Sequence, residues 1–405
     1  MATVAIFCIT YAGVALGRIP GLMLDRTGIA LLGAIAMVVS GAVPLPEAIG
    51  AIDLPTIILL YALMVVSAQL RLGGFYTWVA LQSAGLVTRP SLLLATVMGL
   101  AALLSAILAN DIICLAFTPV LCATLLRAGR NPLPYLMGLA VASNIGSAAT
   151  IIGNPQNMLI GQVGRLDFAA FLLWCGPPSL LALLAAYGII QRAYRQTLGQ
   201  TMPSPPATTT TGQWPECNRW QTTKGLCATA LLMLLFFTTI PRELSAITVA
   251  GVLLCSRRMH SRHILELVDW HLITLFCALF IVIHGITVQG LPARIIANLA
   301  SHGINLADLP TLAGVATLMS NLVSNVPAVM LLLRFLDPGQ PAQWYTLAAA
   351  STYAGNLLVI GSIANLIVIE QARPFGVAIS FREHATIGLP VTLSSLLILL
   401  GWFLL

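Results

Sequence analysis

Between Ser105 and Asn157 the chain reads SAILANDIICLAFTPVLCATLLRAGRNPLPYLMGLAVASNIGSAATIIGNPQN, two long apolar runs each broken mid-way by Asn, Asp, Gly, Ser, Thr or Pro. Hydrocarbon offers no partner to a freed amide or carbonyl, so a break at membrane depth persists only where it is buried in protein or lines a watery cavity. A binding site is the natural reason to keep such breaks. Asp111, flanked by ILAN and IICLAF, sharpens the point, because a carboxylate is costly in hydrocarbon and marks an ion or proton pathway.

The remainder of the chain suits that setting. Apolar residues make up 58% and charged residues 8%, against roughly 25% charged in soluble domains, and the mean hydropathy is +0.94. This is an all-α polytopic membrane protein with the lipid bilayer as its solvent. The start, MATVAIFCITYAGVALGR, has no basic leading region and no small-residue cleavage site, so it reads as a first spanning helix, not a signal peptide. The eight cysteines show neither CxxC nor His-spaced pairs. They read as small buried hydrophobes, not as zinc ligands or a disulfide framework.

Measured against the ~20 residues a helix needs to span a bilayer, the apolar runs predict about ten transmembrane helices and two re-entrant hairpins. Helices near 2–17, 28–45 and 54–72 precede an interfacial stretch, GGFYTWVALQSAGL, whose aromatics suit the headgroup level. The run 92–126 divides at Ala109, Asn110 and Asp111 into two arms too short to cross comfortably, the pattern of a re-entrant hairpin. A helix from about 133 breaks over 143–157, and another spans 168–190. A Thr- and Pro-rich linker over 191–224 follows, without helical apolar period. After it the order recurs: helices near 225–240, 244–256 and 270–289, a hairpin at 310–335, a broken helix at 342–371 and a last helix at 385–405.

The recurrence is visible residue by residue. ALMVV from Ala62 and ALFIV from Ala278 lie 216 positions apart, each after an Asp-led helix start at Asp53 and Asp269. SAILAN from Ser105 and SNLVSN from Ser320 lie 215 apart, and GNPQN from Gly153 and GSIAN from Gly361 lie 208 apart. The expected organisation is therefore 1–190 as a first repeat, 191–224 as a cytoplasmic linker and 225–405 as a second repeat. With an odd number of crossings per copy the second is inverted, and its site falls at the midplane. With the linker in the cytoplasm, only Arg165, Arg242, Arg294 and Arg334 of the 19 Lys and Arg fall outside. The positive-inside rule then places the N-terminus outside. The net charge of +6 needs no nucleic acid to explain it.

Two hairpins and two broken helices thus converge. The first hairpin supplies Asn110 and Asp111, and the second Ser324 and Asn325, stopped by Pro327. The first broken helix offers Ser143, Asn144, Gly146, Ser147, Thr150, Gly153, Asn154 and Asn157; the second offers Asn356, Gly361, Ser362 and Asn365. Broken helices expose amides that suit an anion and carbonyls that suit a cation, so the residue types alone leave the sign of the ligand open.

At these residues the sequence resembles the ion transporter superfamily that includes arsenite and antimonite efflux permeases, sodium/proton antiporters, the melanosomal P protein, and citrate, dicarboxylate and sulfate carriers. ANDIICLAFTP is similar to the first hairpin of the arsenite permease and antiporter branch, and ASNIGSAATIIGNPQN to the glycine-rich broken helix ending Gly-x-Pro-x-Asn. MSNLVSNVPAVML resembles the second hairpin and GNLLVIGSIANLIV the second broken helix. The resemblance implies a secondary carrier in a bacterial-type inner membrane, with Asn110, Asn157, Asn325 and Asn365 lining solute and ion sites. It implies a small inorganic or organic anion as partner, no cofactor beyond a coupling proton or sodium ion, and room for a homodimer. The dicarboxylate branch carries Ser-Asn-Thr at both hairpin tips, where this chain has Ala109-Asn110-Asp111 and Ser324-Asn325-Val326. That departure favours the arsenite permease or anion permease side.

Asp111 reads as carrier of the coupling proton, with capping of the return arm as a second duty. His284, alone in an apolar helix, reads as a satisfied buried histidine, and Asp53 and Asp269 as helix caps facing water. Cys114 and Cys122 would need a third sulfur to hold arsenic. An intramembrane enzyme would want paired catalytic groups, and one acid alone lies at mid-depth. No GxxxxGK fingerprint occurs, which argues against an ATP-driven pump within this chain and leaves room for a separate ATPase subunit. The expectation is a secondary transporter moving a small anion or oxyanion by alternating access with protons. Arsenite or antimonite efflux, sodium/proton antiport and sodium-coupled di- or tricarboxylate symport stay open as alternatives.

Overall fold

The apolar runs fold as helices, as backbone groups in hydrocarbon require. The computed structural model describes residues 2–17, 21–199, 216–256 and 259–404, and no strand occurs among them. Among the described residues, six helices are long and apolar enough to cross a membrane: Leu54–Leu72, Pro90–Ile107, Asn110–Arg127, Phe168–Ala193, Trp270–Val288 and Phe381–Trp402. Shorter apolar helices cover Ala2–Leu16, Arg26–Val39, Leu309–Val323 and Asn325–Phe335. Large apolar side chains such as Leu173, Leu234 and Leu397 point outward, as in a bundle solvated by lipid.

The first hairpin consists of Pro90–Ile107 and Asn110–Arg127, joined through extended Leu108 and Ala109. Its arms correct the expected shortness: each has 18 residues, or ~27 Å at 1.5 Å per residue, close to the ~30 Å hydrocarbon core. The Asn-Asp break marks the tip, not the shortness of either arm. The outgoing arm lies alongside Leu133–Ser147 in the same direction, since Gly138 faces Leu94 and Met98 while Gly146 faces Ala102. The return arm between them therefore runs back.

Gly146 is where two helix backbones meet. A Cβ there would come 2.3 Å from both Cα and O of Ala102, so neither side can yield by rotating a side chain. Gly146→Ala is expected to cost about 1–3 kcal/mol, the range for overpacking, and to lower the unfolding temperature measured by intrinsic fluorescence in detergent. An unchanged unfolding temperature would contradict the close approach.

Three expectations are corrected. The stretch expected at the headgroup level is helix Phe75–Ala84, which packs against the first hairpin's return arm; Phe75 and Tyr76 fill protein contacts, and only Trp78 of its aromatics is exposed. His284 is not a satisfied buried histidine. Its side chain is 29% exposed, its Nε2 has no hydrogen-bond partner, and Glu47 Oε2 lies 3.8 Å away. Asp111 caps nothing: Ala109 occupies the cap position without a side-chain bond. Asp53 and Asp269 do cap their helices, accepting from the amides of Thr56 and Leu272. Of the expected linker, 200–215 lie outside the described residues, while Phe168–Ala193, Arg195–Gly199 and Arg219–Phe236 occupy its edges.

Each half of the chain packs on the other in matching fashion. Helix Arg26–Val39 lies on Trp270–Val288, and Arg242–Leu254 on Leu54–Leu72. The return arm of the first hairpin lies on Ile363–Ala372, and that of the second on Pro155–Val163. Arg242 secures this crossing, donating from Nη1 to Leu166 O at 2.8 Å and from Nη2 to Gly161 O at 2.7 Å.

Candidate functional site

The first broken helix comprises Leu133–Ser147 and Pro155–Val163, and the second Pro341–Ala354 and Ile363–Ala372 with a short 3-10 turn, Val359–Gly361, in its gap. Each gap frees carbonyls that an asparagine collects. Asn157 Nδ2 donates to Ser147 O at 3.2 Å and Thr150 O at 3.0 Å. Asn365 Nδ2 donates to Gly355 O at 2.8 Å and Leu358 O at 3.3 Å. Each of these carbonyls thus has a hydrogen-bond donor within its own gap. Asn157 and Asn365 hold the breaks open from one layer behind. Gly153 permits the first gap to close on itself, since a Cβ there would stand 2.2 Å from Ser147 O, and Thr150 Oγ1 donates to Ala106 O.

The two breaks are stitched to each other by a reciprocal pair. Ser362 Oγ donates to Asn144 Oδ1 at 2.8 Å, and Asn154 Nδ2 donates to Thr352 Oγ1 at 3.2 Å. Asn144 Nδ2 further reaches Asn356 Oδ1 at 2.9 Å and Asn365 Oδ1 at 3.2 Å. Asn154 and Ser362 also cap the second halves, accepting from the amides of Asn157 and Ala364.

The hairpin tips close the space above this network. Ser143 Oγ donates to the backbone carbonyl of Asn110 at 3.3 Å, which ties the first tip to the first broken helix. At the second tip Ser324 sits at φ +75° and ψ 158°, a region used almost only by glycine and costing a serine on the order of 1–3 kcal/mol. Asn325 follows, and its Oδ1 is buried without any donor.

Together these elements enclose a cavity of about 40 Å³, lined by Asn110, Asp111, Asn144, Ser147, Asn154, Ser324, Asn325, Gly361 and Ser362. Thr150, Gly153, Asn157, Asn356 and Asn365 do not line it; Ser143 and Gly146 act in packing. The cavity also takes in Gln156, Thr352 and Leu272, which sequence reasoning missed. Thr352 could have been found, since it stands 208 positions from Asn144, the offset that relates the two broken helices. Among the described residues no Lys, Arg or His lines the cavity, and Asp111 is its one ionisable group. Asp111 also lines an adjoining cavity of about 170 Å³ with Asp269 and Arg71, so the cap at Asp269 faces the same space. Cys114 and Cys122 are buried in the return arm away from both cavities, and no group of three His, Cys, Asp or Glu that could hold a metal occurs among the described residues.

His384 is a second missed residue. It is buried on the last helix, its Nε2 lies 3.1 Å from Asn356 O, and a Cβ at Gly388, one turn on, would meet that carbonyl at 2.2 Å. The last helix thereby sets the position of Asn356 and, through it, Asn144. His384→Ala is expected to cost about 1–3 kcal/mol, the penalty for a buried acceptor left unpaired, and to slow transport; His384→Gln, which retains a donor, restores most of both. Equal thermal stability of the Ala variant and wild type would contradict this.

A helical bundle whose interrupted helices and hairpin tips meet in one polar cavity defines a membrane transporter of the ion-permease type. The citrate transporter family matches residues 11–354, and the chain belongs to that family, one of transporters and not of enzymes. Its relatives include the silicon efflux transporter LSI3 of Oryza sativa subsp. japonica, 29% identical over 93% of this chain and 91% of that one. The putative transporter arsB of Dictyostelium discoideum is 22% identical over 94% and 87%. Among solved structures, the YdaH transporter of Alcanivorax borkumensis shares the fold with a TM-score of 0.56, at 15% identity, over 100% of this chain and 97% of that one.

Proposed function

We propose that the protein is a secondary carrier that moves a small oxyanion, or its protonated oxyacid, by alternating access, with Asp111 carrying a coupling proton. The observation that carries this reading is the cavity lining: one carboxylate, many amides and hydroxyls, and no basic side chain among the described residues. An anion shares that space with Asp111 only when one of the two holds a proton, because like charges in a weakly solvated cavity repel. Solute and proton movement are thereby linked. A multivalent carboxylate such as citrate would lack the arginine forks that usually bind it. The cavity of about 40 Å³ has room for little more than one or two waters, so the hairpin tips must part from the broken helices to admit any solute.

The reading of two inverted copies over 1–190 and 225–405 is supported by the matched cross-packing of the halves and by the reciprocal bonds. The chain would then sit in a bacterial-type inner membrane with the N-terminus outside, on the charge argument above. Sodium coupling is the second reading, and Asn325 Oδ1 favours it: a buried acceptor without a donor is suited to a cation. Proteoliposomes loaded with the purified protein and offered arsenite, sulfate, citrate or succinate decide between them. Accumulation of arsenite or sulfate driven by a proton gradient is expected; accumulation of citrate or succinate driven by sodium alone would overturn the proton reading.

A further inference from the structure

Helix Phe168–Ala193, of 26 residues, carries the chain from Arg165 across to the linker, so Arg165 lies on the face opposite the linker ends. A cavity of about 770 Å³ opens there, lined by Arg165 and Arg334 with Thr287, Trp344 and mainly apolar neighbours, and by no carboxylate among its described residues. It shares Val163, Leu333 and Arg334 with a second cavity of about 430 Å³. Its wall includes Leu159 and Met330, and it shares no lining residue with the inner cavity. Arg165 is an exposed residue; the Arg334 guanidinium is partly enclosed and has Asp53 as its nearest opposite charge, and neither makes a direct ion pair among the described residues. The Asp53 carboxylate lines that second cavity with Arg334 while capping its helix through the Thr56 amide, so it offsets part of the Arg334 charge and leaves Arg165 as the uncompensated cation at the mouth.

The backbone at Arg165 is the second observation. Its φ is +47°, in the left-handed region that glycine occupies freely and L side chains rarely do. Arg165 closes the end of Pro155–Val163, its amide donating to Gln162 O while that of Leu166 reaches Gly161 O, a position where glycine is usual. An arginine there is strained at its backbone, and its side chain borders both this mouth and a neighbouring cavity that holds Asp167, Arg242 and Glu243.

We propose that Arg165 and Arg334 form an anion-capture site at this mouth, binding a small oxyanion or carboxylate in its charged form. Two guanidinium groups over low-dielectric walls raise the local anion concentration, which the basic-free inner cavity cannot do. That the captured anion then proceeds to the inner cavity rests on the proposed function; the binding itself does not. The probes are radiolabelled sulfate and citrate, titrated onto the purified full-length protein in detergent. Saturable binding at low ionic strength is expected, weakening at about 150 mM salt, where the screening length is ~8 Å. The double variant Arg165→Gln/Arg334→Gln should bind at least about tenfold more weakly, the loss that removing charge-assisted donors implies. Arg165→Lys/Arg334→Lys should recover part of it, and Arg219→Gln/Arg262→Gln, an equal charge loss at the linker face, should bind as wild type. Undiminished binding by the Arg165→Gln/Arg334→Gln protein, or binding of neither probe by wild type, would overturn the site. Intact binding without any transport would instead count against the carrier reading alone.

Discussion

Transport by Asn325→Ala and by Asn110→Ala is expected to fall to background while both proteins insert and purify like wild type. The argument is sharper for Asn325. Its Oδ1 is buried with no hydrogen-bond partner, and a buried acceptor left unpaired costs about 1–3 kcal/mol. If the side chain served only the fold, alanine would be the better residue. Asn325→Ala should therefore match or exceed wild type in thermal stability and still be inactive, a combination that a purely structural residue does not produce. Asn110 opens the return arm of the other hairpin, and its backbone carbonyl, not its amide side chain, makes the bond to Ser143. Alanine leaves that bond in place and removes only the group that lines the cavity. Wild-type uptake by either variant would mean the hairpin tips are not the site.

The second large effect is expected at Asp111. It is the one ionisable group in the cavity lining among the described residues, and it borders the neighbouring cavity with Asp269 and Arg71 as well. On that side Asp269 is the one other carboxylate among the described lining residues. Asp111→Asn keeps the size and a polar head but removes titration. Solute-for-solute exchange across equal concentrations should persist, whereas accumulation against a gradient should drop to the equilibrium level. The idea fails if the Asn protein still concentrates solute in response to a proton gradient with unchanged pH dependence. Loss of sodium dependence in the same variant would turn Asp111 into a cation ligand and favour the second reading.

Much of the architecture was legible because helix-forming runs and their interruptions are local properties. Apolar length shows a spanning helix, and an Asn-Asp or Gly-Asn-Pro inside such a run shows a break that must be buried. The offsets of 216, 215 and 208 likewise need no coordinates. Capping by Asp53 and Asp269 was readable for the same reason, since the donor is three residues away. Where reading went astray, the deciding partner was distant in sequence. Phe75 and Tyr76 have the composition of a headgroup belt but are buried in protein contacts. His284 looks enclosed in its own helix, yet Glu47, far away in the chain, is what stands near it.

The candidate site shows the same division. That Asn110, Asp111, Asn144, Ser147, Asn154, Ser324, Asn325, Gly361 and Ser362 would meet followed from residue type and from the recurring offsets, because polar groups in hydrocarbon must converge on something. Which of the asparagines face the cavity and which are consumed in holding it open did not follow. Asn157 and Asn365 look like ligands in the sequence, and only the folded gap puts two carbonyls within reach of each amide. Thr352 and His384 join the network through contacts spanning 198 and 28 residues. A hydrogen bond is made or missed over a few tenths of an ångström, and such distances between remote segments are set by helix packing, which local sequence does not specify.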